Sequence, residues 1–387
     1  MKSLSPVDDV KLHHAALPPL AALEHDWRCL EALSRPSFFT SWDWIGTLLS
    51  SLPEASRPQL VRGLAQGKTV GLGLLGSRKI SRRYGLVSSR SLFLNATGIP
   101  SFDSITIEHN GLLAQVGQEA AVLDALVSWF ASCDKSEELH INGSLVRVPE
   151  SAVERRGLDR VEISVPSYSI DLSRLAEGDG ELHPILSANA RQQLRQAMRH
   201  FERFGPLQIT AAATTTEAIA FFTAMKALHW TWWERRGKPH AFSDPFFERF
   251  HGLLIAETFD RGGTQLLQIC AGNRLLGYLY NFRLGDRIYA YQSGFTEAAR
   301  HERPGAVAHA LAIQHAFRNG AHVYDFMAGH NRLKQSFSTT CEPMLWQVLQ
   351  RPKMAFRLEN AAGRLMCVAR AARNTTLPAR RIFPQRS

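Results

Sequence analysis

RIYAYQSGFTEAARHERPGAVAHALAIQHAFRNGAHVYDFMAGHNRLK, running from Arg287 to Lys334, sets the fold of this chain. Its opening, Arg287 to Phe295, is rich in tyrosine and free of proline, which suits a pleated surface. Pro304 stands where a first helical residue belongs, and Gly320 falls just past the helix end. Between them Ala306 to Phe317 is apolar on most sides, so the spacing predicts a helix buried against a sheet. His322 to Met327 returns as a short buried strand. Strand, crossover helix and strand in that order imply parallel or splayed neighbours, because no tight hairpin joins them.

The start of that helix is unusual in what it lacks. Helices commonly open on Ser, Thr, Asp or Asn, whose side chain accepts from a free backbone N–H; this one opens Arg-Pro-Gly-Ala. The amides of Gly305, Ala306 and Val307 therefore have no side-chain cap, and Arg300, His301 and Arg303 flank them. Positive side chains, the positive end of the helix dipole and bare donors together suit a phosphate; capping by water beside solvated arginines is the alternative.

The order of segments, the Pro-Gly helix start after a tyrosine-rich strand, and the ending YDFMAGHNRLKQSF resemble the BioF2-like, CelD-type branch of the GNAT acyltransferase superfamily, which is related to the Fem peptidyltransferases. The resemblance covers about Ser187 to Pro352 and reaches the N-terminal half only faintly. It implies that the strand before the helix splays from its neighbour and that the pantetheine arm of an acyl-CoA lies in the gap. It places the pyrophosphate on the helix tip, among Arg300, Arg303, Gly305, Ala306 and Val307, and the thioester carbonyl near Gln292 and Ser293. It implies a catalytic place for Lys334, close to the donor carbonyl, where a positive charge stabilises the oxyanion. This sequence departs from the pattern twice: no Q/R-x-x-G-x-G/A run precedes the helix, and Leu333 stands where an aromatic residue is common.

Asp325, in the Tyr-Asp-Phe context of the returning strand, either deprotonates or orients an acceptor, or anchors the loop through backbone amides, as an aspartate near Gly329 and Asn331 readily does. His330 is a possible base or only a surface residue. The chain has no G-x-S-x-G elbow and no cysteine in a His-paired motif, so direct attack by the acceptor is expected rather than a covalent intermediate.

With 387 residues, 45% of them hydrophobic and 21% charged, the chain is long enough for two packed domains. Five widely spaced cysteines without a C-x-x-C pair fit a reducing cytoplasm, and neither a signal sequence, a membrane-spanning run nor a metal-binding signature is expected. Of the formal net charge of +10, a surplus of eight falls in 351–387, where nine Lys or Arg stand against Glu359 alone. The folded body is then close to neutral, which argues against DNA as a partner. The basic tail alternates apolar and arginine residues and is either packed, solvated, or a peripheral contact with anionic lipid at the inner face of the membrane.

In the first half, Gln59 to Ala65 and Thr69 to Leu75 read as strands joined at Gln66-Gly67-Lys68. Gly71-Leu-Gly73-Leu-Leu-Gly76 fits G-x-G-x-x-G, but the basic, uncapped SRKISRRYG that follows excludes a dinucleotide fold, and the glycines are expected inside a strand. Ser104 to Ile107 reads as a strand, Glu119 to Ser132 as a helix and Leu139 to Val146 as a strand. LVRGLAQGKTVGLGLL from Leu60 echoes LLQICAGNRLLGYLYN from Leu266, which suggests two copies of one plan. The expected architecture is α/β: two tandem GNAT-like domains, each a mixed, partly antiparallel twisted sheet flanked by helices, over 1–165 and 166–350, with a basic tail over 351–387.

Ser187 caps a predicted helix whose arginines 191, 195, 199 and 203 recur every fourth residue on one face, where like charges repel unless solvated or matched by an anion. Arg191 and Arg195 are therefore candidates for binding substrate. In the aromatic helix from Glu217 to Arg236, Trp230, Trp232 and Trp233 cannot all face one way, so Trp230 and Trp233 are candidates to line a cleft for a sugar or acyl chain. The function expected is transfer from an acyl-CoA, acetyl or longer, to an amino or hydroxyl group of a cell-envelope or polysaccharide precursor in the cytoplasm. The alternatives are an aminoacyl-tRNA-dependent Fem-like peptidyltransferase and a non-catalytic accessory protein.

Overall fold

The computed structural model describes residues 10–361, apart from 83, 84, 86, 179, 235, 236, 238, 239 and 297–301. The chain divides into two units, one of Met1–Val165 with everything from Met344 onward, the other of Pro166–Pro343. The sequence reading assigns 344–350 to the second domain and treats 351 onward as a tail.

In the first unit the elements are β1 (Lys11–Ala15), α1 (Leu20–Glu31), α2 (Trp42–Ser51), β2 (Gln59–Ala65), β3 (Lys68–Arg82), β4 (Val87–Leu94), β5 (Leu113–Ala114), α3 (Glu119–Ser132), β6 (Glu138–Ser144) and α4 (Glu150–Glu154). β2, β3 and β4 form an antiparallel meander, and β4 then pairs in parallel with β6 at Ser91–Phe93, with α3 crossing between them. All three glycines of the G-x-G-x-x-G run lie inside β3. A Cβ at Gly71 would run into Val122 of α3 and one at Gly76 into the Ala96 carbonyl, so close packing explains them. The strand expected at Ser104 to Ile107 is instead a 3₁₀ turn, Phe102–Ile105. Asp103 accepts from the N–H groups of Thr97 and Gly98 at 2.8 and 2.7 Å and curls this segment back on itself.

β7 (Asp159–Asp171) leads into the second unit, followed by α5 (Ala188–Glu202), β8 (Leu207–Ala211), α6 (Thr215–Glu234), α7 (Pro245–Thr258), β9 (Thr264–Ala271), β10 (Arg274–Leu284), β11 (Arg287–Phe295), α8 (Pro304–Arg318), β12 (Val323–Ala328), α9 (Arg332–Phe337) and β13 (Thr340–Gln350). Ser187 accepts from the Ala190 N–H and Asp244 from the Phe246 N–H, so both predicted caps start their helices. The strands run β8, β9, β10, β11, β12 and β7 in neighbouring order, antiparallel except for the β11–β12 pair.

Alternation along these strands separates two faces. Leu267, Ile269, Leu279, Ile288, Tyr324 and Phe326 pack with α5 and α8. On the other face Tyr278, Tyr280 and Tyr291 meet Phe221 and Phe222 of α6 and Phe247 and His251 of α7. The succession of a three-stranded meander, a crossover helix and a parallel strand is the same as in the first unit, so the sequence echo reflects a repeated plan.

From Leu345 onward β13 pairs with β6, and the Arg351 guanidinium donates to the carbonyls of Phe130, Ala131, Cys133 and Ser136. A short helix over 354–361 follows, with Phe356 buried and Arg82 over its ring. The basic segment beyond 361 lies outside the described residues. Among those described, no helix is long and apolar enough to cross a membrane.

Candidate active site

β11 and β12 stay together for three residue pairs only, Arg287–Val323, Ile288–Tyr324 and Tyr289–Asp325. Beyond them β11 continues beside β10 as far as Phe295, while β12 continues beside β7 as far as Ala328, so the two strands part. Two local features accompany the parting. Asp325, 2% exposed, accepts from the Met327 N–H at 2.7 Å and from Arg287 Nη1 at 2.7 Å. It thereby holds Met327 at a φ of 63°, at an irregularity in the β12–β7 register. On the other side Gly294 lets β11 lie against α6; a Cβ there would sit 2.5 Å from the Met225 carbonyl.

At the tip of α8, Arg303 is left-handed with a φ of 64° and no side chain caps the helix. The three expected donors are not equivalent. The N–H groups of Ala306 and Val307 turn onto the Arg303 carbonyl at 3.1 and 3.4 Å, whereas that of Gly305 has no partner among the described residues. Gly305 is half-buried, and a Cβ on it would stand 3.3 Å from the Phe295 ring. Arg303 is exposed and its Nη1 donates to the Gln193 side chain of α5. Arg300 and His301 lie outside the described residues.

Asn331 caps α9 by accepting from the Leu333 N–H, and this short helix carries Lys334 back toward the end of β12. Lys334 Nζ donates to the carbonyls of Ala328 at 2.9 Å and Met327 at 3.4 Å. Close by, His309 of α8 shares a hydrogen bond of 3.0 Å between Nδ1 and the Tyr324 hydroxyl. Burial, with the Lys334 ammonium adding to it, lowers the pKa of His309 to about 3, so the ring stays neutral. His330 is exposed in the loop before α9.

Gln292 and Ser293 occupy the part of β11 that has left β12, opposite Tyr280 and Leu279 of β10. The Ser293 N–H is taken by Gln292 Oε1 at 3.2 Å, and the Ser293 carbonyl faces His229 Nδ1 at 3.2 Å. That carbonyl can only accept, so the contact sets the proton of His229 on Nδ1. Trp233 is 9% exposed beside His229, with ring centroids 6.0 Å apart, and Trp230 is 37% exposed with its ring edge-on to His240 at 4.8 Å. The side chain of Trp232 lies outside the described residues. Beneath this layer the buried His251 stands between the hydroxyls of Tyr280 and Tyr291, at 3.2 and 3.1 Å, which stiffens the α6–α7 side.

Residues 188–335 match the family model described as an acetyltransferase (GNAT) domain. This segment is a GNAT acetyltransferase domain. FemX is similar in structure, with a TM-score of 0.55 over 87% of this chain and 96% of FemX at 11% identity. The C-terminal domain (DUF2156) of a candidate lysylphosphatidylglycerol synthetase from Agrobacterium fabrum is similar with a TM-score of 0.52, over 89% of this chain and 96% of that one, also at 11% identity. At such identity the likeness is one of fold, and at this coverage it takes in both units. No curated protein sequence matches the chain. The domain type is that of an acyltransferase.

An open groove of about 930 Å³ in the GNAT domain is lined by the outer face of α5 and by Glu302 and Arg303. Arg195, Arg199 and Arg203 line it; Arg191 does not. The His229–Ser293 contact and the neutral His309 beside Lys334 were not foreseen from the sequence. Both join residues distant in the chain, and a lone histidine in an apolar helix gives no sign of its partner. Among the described residues no group of His, Cys, Asp and Glu side chains could hold a metal ion.

Proposed function

We propose that this protein transfers an acyl group from an acyl-CoA directly to an amino or hydroxyl group of a cell-envelope or polysaccharide precursor. The parting of β11 from β12 after Tyr289, with the half-buried Gly305 N–H at the head of α8, is the observation that carries this reading. A pantetheine arm is an extended, hydrogen-bonding chain, and two strand edges that have let go of each other offer it backbone partners. A diphosphate at the head of α8 meets the Gly305 N–H and the positive end of the helix dipole, with Arg303 beside it.

In this reading the acceptor's lone pair attacks the thioester carbonyl, the negative charge gathers on oxygen, and the C–S bond breaks as the proton given up by the acceptor ends on the leaving sulfur, releasing the carrier thiol. Lys334 is suited to the oxyanion because its stem is half-buried and its ammonium is already fixed at the end of β12. The partly exposed face of Trp230 supports a sugar ring as part of the acceptor. An acyl-CoA donor would place the reaction in the cytoplasm.

The test combines binding and turnover. CoA at a hundredfold excess over its Kd should stabilise the protein by about 2.7 kcal/mol, seen as a rise in Tm, whereas uncharged or aminoacylated tRNA should not. Thiol release from acetyl-CoA, measured with a panel of amino and hydroxyl sugars, should fall about 10²–10³-fold in Lys334→Ala with the fold intact. Stabilisation by tRNA alone would move the assignment to an aminoacyl donor, and full activity of Lys334→Ala would remove the role given to that residue.

A further inference from the structure

The groove beside the tip of α8 is built from a helix that precedes the GNAT sheet, and its charge is out of balance. Arg195, Arg199 and Arg203 follow one another at single-turn spacing, so they extend over about 12 Å along α5. Among the described residues none of the three is in an ion pair or a side-chain hydrogen bond, and all are exposed. Like charges at this spacing cost a few tenths of a kcal/mol per pair on an isolated helix. The C-terminal end of α5 offsets part of that through its dipole, but only over the last turn, and Arg195 lies outside it.

The one acid among the described lining residues does not neutralise the row. Glu302 is engaged by His200 Nε2 at 2.8 Å and by Arg274 Nη2 at 3.8 Å, with Arg274 itself seated over the Phe204 ring. Meanwhile Arg303 reaches across to Gln193, which ties the groove to the helix tip at Gly305. The cationic row is thus continuous with the place given to the diphosphate and runs on past it. A diphosphate alone is too short to engage both ends.

We propose that the outer face of α5 is a subsite for an additional phosphate of the donor carrier, a phosphomonoester borne on the nucleotide beyond the diphosphate. This rests on the acyl-CoA reading above and adds to it: a helix outside the sheet selects the 3′-phosphorylated form of the carrier. The groove volume is in the range that holds a nucleotide, and three guanidinium groups provide the planar donor pairs that match phosphate oxygens.

Isothermal titration of the full chain with CoA and with dephospho-CoA tests it, because the two differ only in that phosphate. Wild type should bind CoA about tenfold or more tightly than dephospho-CoA, with a preference that shrinks as salt is raised. Arg199→Gln combined with Arg203→Gln should bring the two affinities within about threefold while leaving that for dephospho-CoA unchanged. Equal binding of both carriers by wild type, or a preference that survives in the double variant, overturns the subsite while leaving the acyl-CoA reading in place. Failure of both carriers to bind overturns that reading and the subsite with it. If the double variant keeps its preference but loses affinity for a sugar phosphate, the row serves the acceptor and the proposal is wrong.

Discussion

Asp325→Ala and Asp325→Asn separate an aspartate that shapes the site from one that moves a proton. Asp325 is buried, accepts from Met327 N–H and Arg287 Nη1, and sits where β12 leaves β11. Alanine strands a buried N–H, which costs about 1–3 kcal/mol, and unpairs a guanidinium that is 34% exposed, which adds about 1 kcal/mol. A total of about 2–4 kcal/mol in a unit of this size lowers Tm by roughly 5–10 °C. Asparagine can still accept from Met327 and loses only the ionic part, so it should cost about 1 kcal/mol. Urea denaturation gives the stabilities, and thiol release from acetyl-CoA per folded molecule gives the rate. The account predicts that Asp325→Asn keeps its turnover within about tenfold. An isosteric variant with unchanged stability and a loss of 10²-fold or more would identify a general base and refute it.

Three further outcomes follow from the same geometry. Gly305→Val places branched carbon against Phe295 and over the lone N–H, so CoA affinity measured by titration should fall at least tenfold. His309 has a folded pKa of about 3 against 6.5 when unfolded, so the unfolded chain binds the extra proton as pH drops. Stability of the GNAT unit should decline below pH 6.5, by about 2 kcal/mol at pH 5, and Lys334→Ala, which removes the neighbouring cation, should soften that decline in a pH series of denaturation curves. In the first unit, burial alone would raise the Glu138 pKa. Hydrogen bonds from its neighbours, Arg82, Ser89 and Gln350 among them, outweigh burial and hold the carboxylate well below its usual range. Glu138→Ala leaves Arg82 without its bidentate partner and should cost about 3–5 kcal/mol in that unit, which chemical denaturation followed by the first unit's tryptophans would register.

What was legible in the sequence was local. Ser187, Asp244 with Pro245, and the Gln66-Gly67 turn signal their elements through their own side chains or backbone freedom, and the strand, helix and strand of 287–328 follow from period and length. The close-packed glycines of β3 could be kept apart from a phosphate loop because no helix follows them. Long-range pairing was not legible: nothing near Leu345 announces that β13 returns to β6, and nothing near Arg287 announces Asp325, 38 residues away. The arginine row of α5 was legible as a stripe, but not that folding brings Arg303 to the same groove, where Glu302, the one acid among the described lining residues, is engaged by His200. The uncapped helix tip was foreseen, but not that two of its three amides would turn onto the Arg303 carbonyl, because that depends on the left-handed conformation of Arg303.

Hydrogen–deuterium exchange with and without CoA reads the site directly. The account predicts slowed exchange in the parted half of β11, 290–295, in the first turn of α8, 304–307, and at the end of β12, 326–329, with the first unit's β2–β4 meander unaffected. Slowed exchange in the β2–β4 meander, or none in these three segments at saturating CoA, would contradict it.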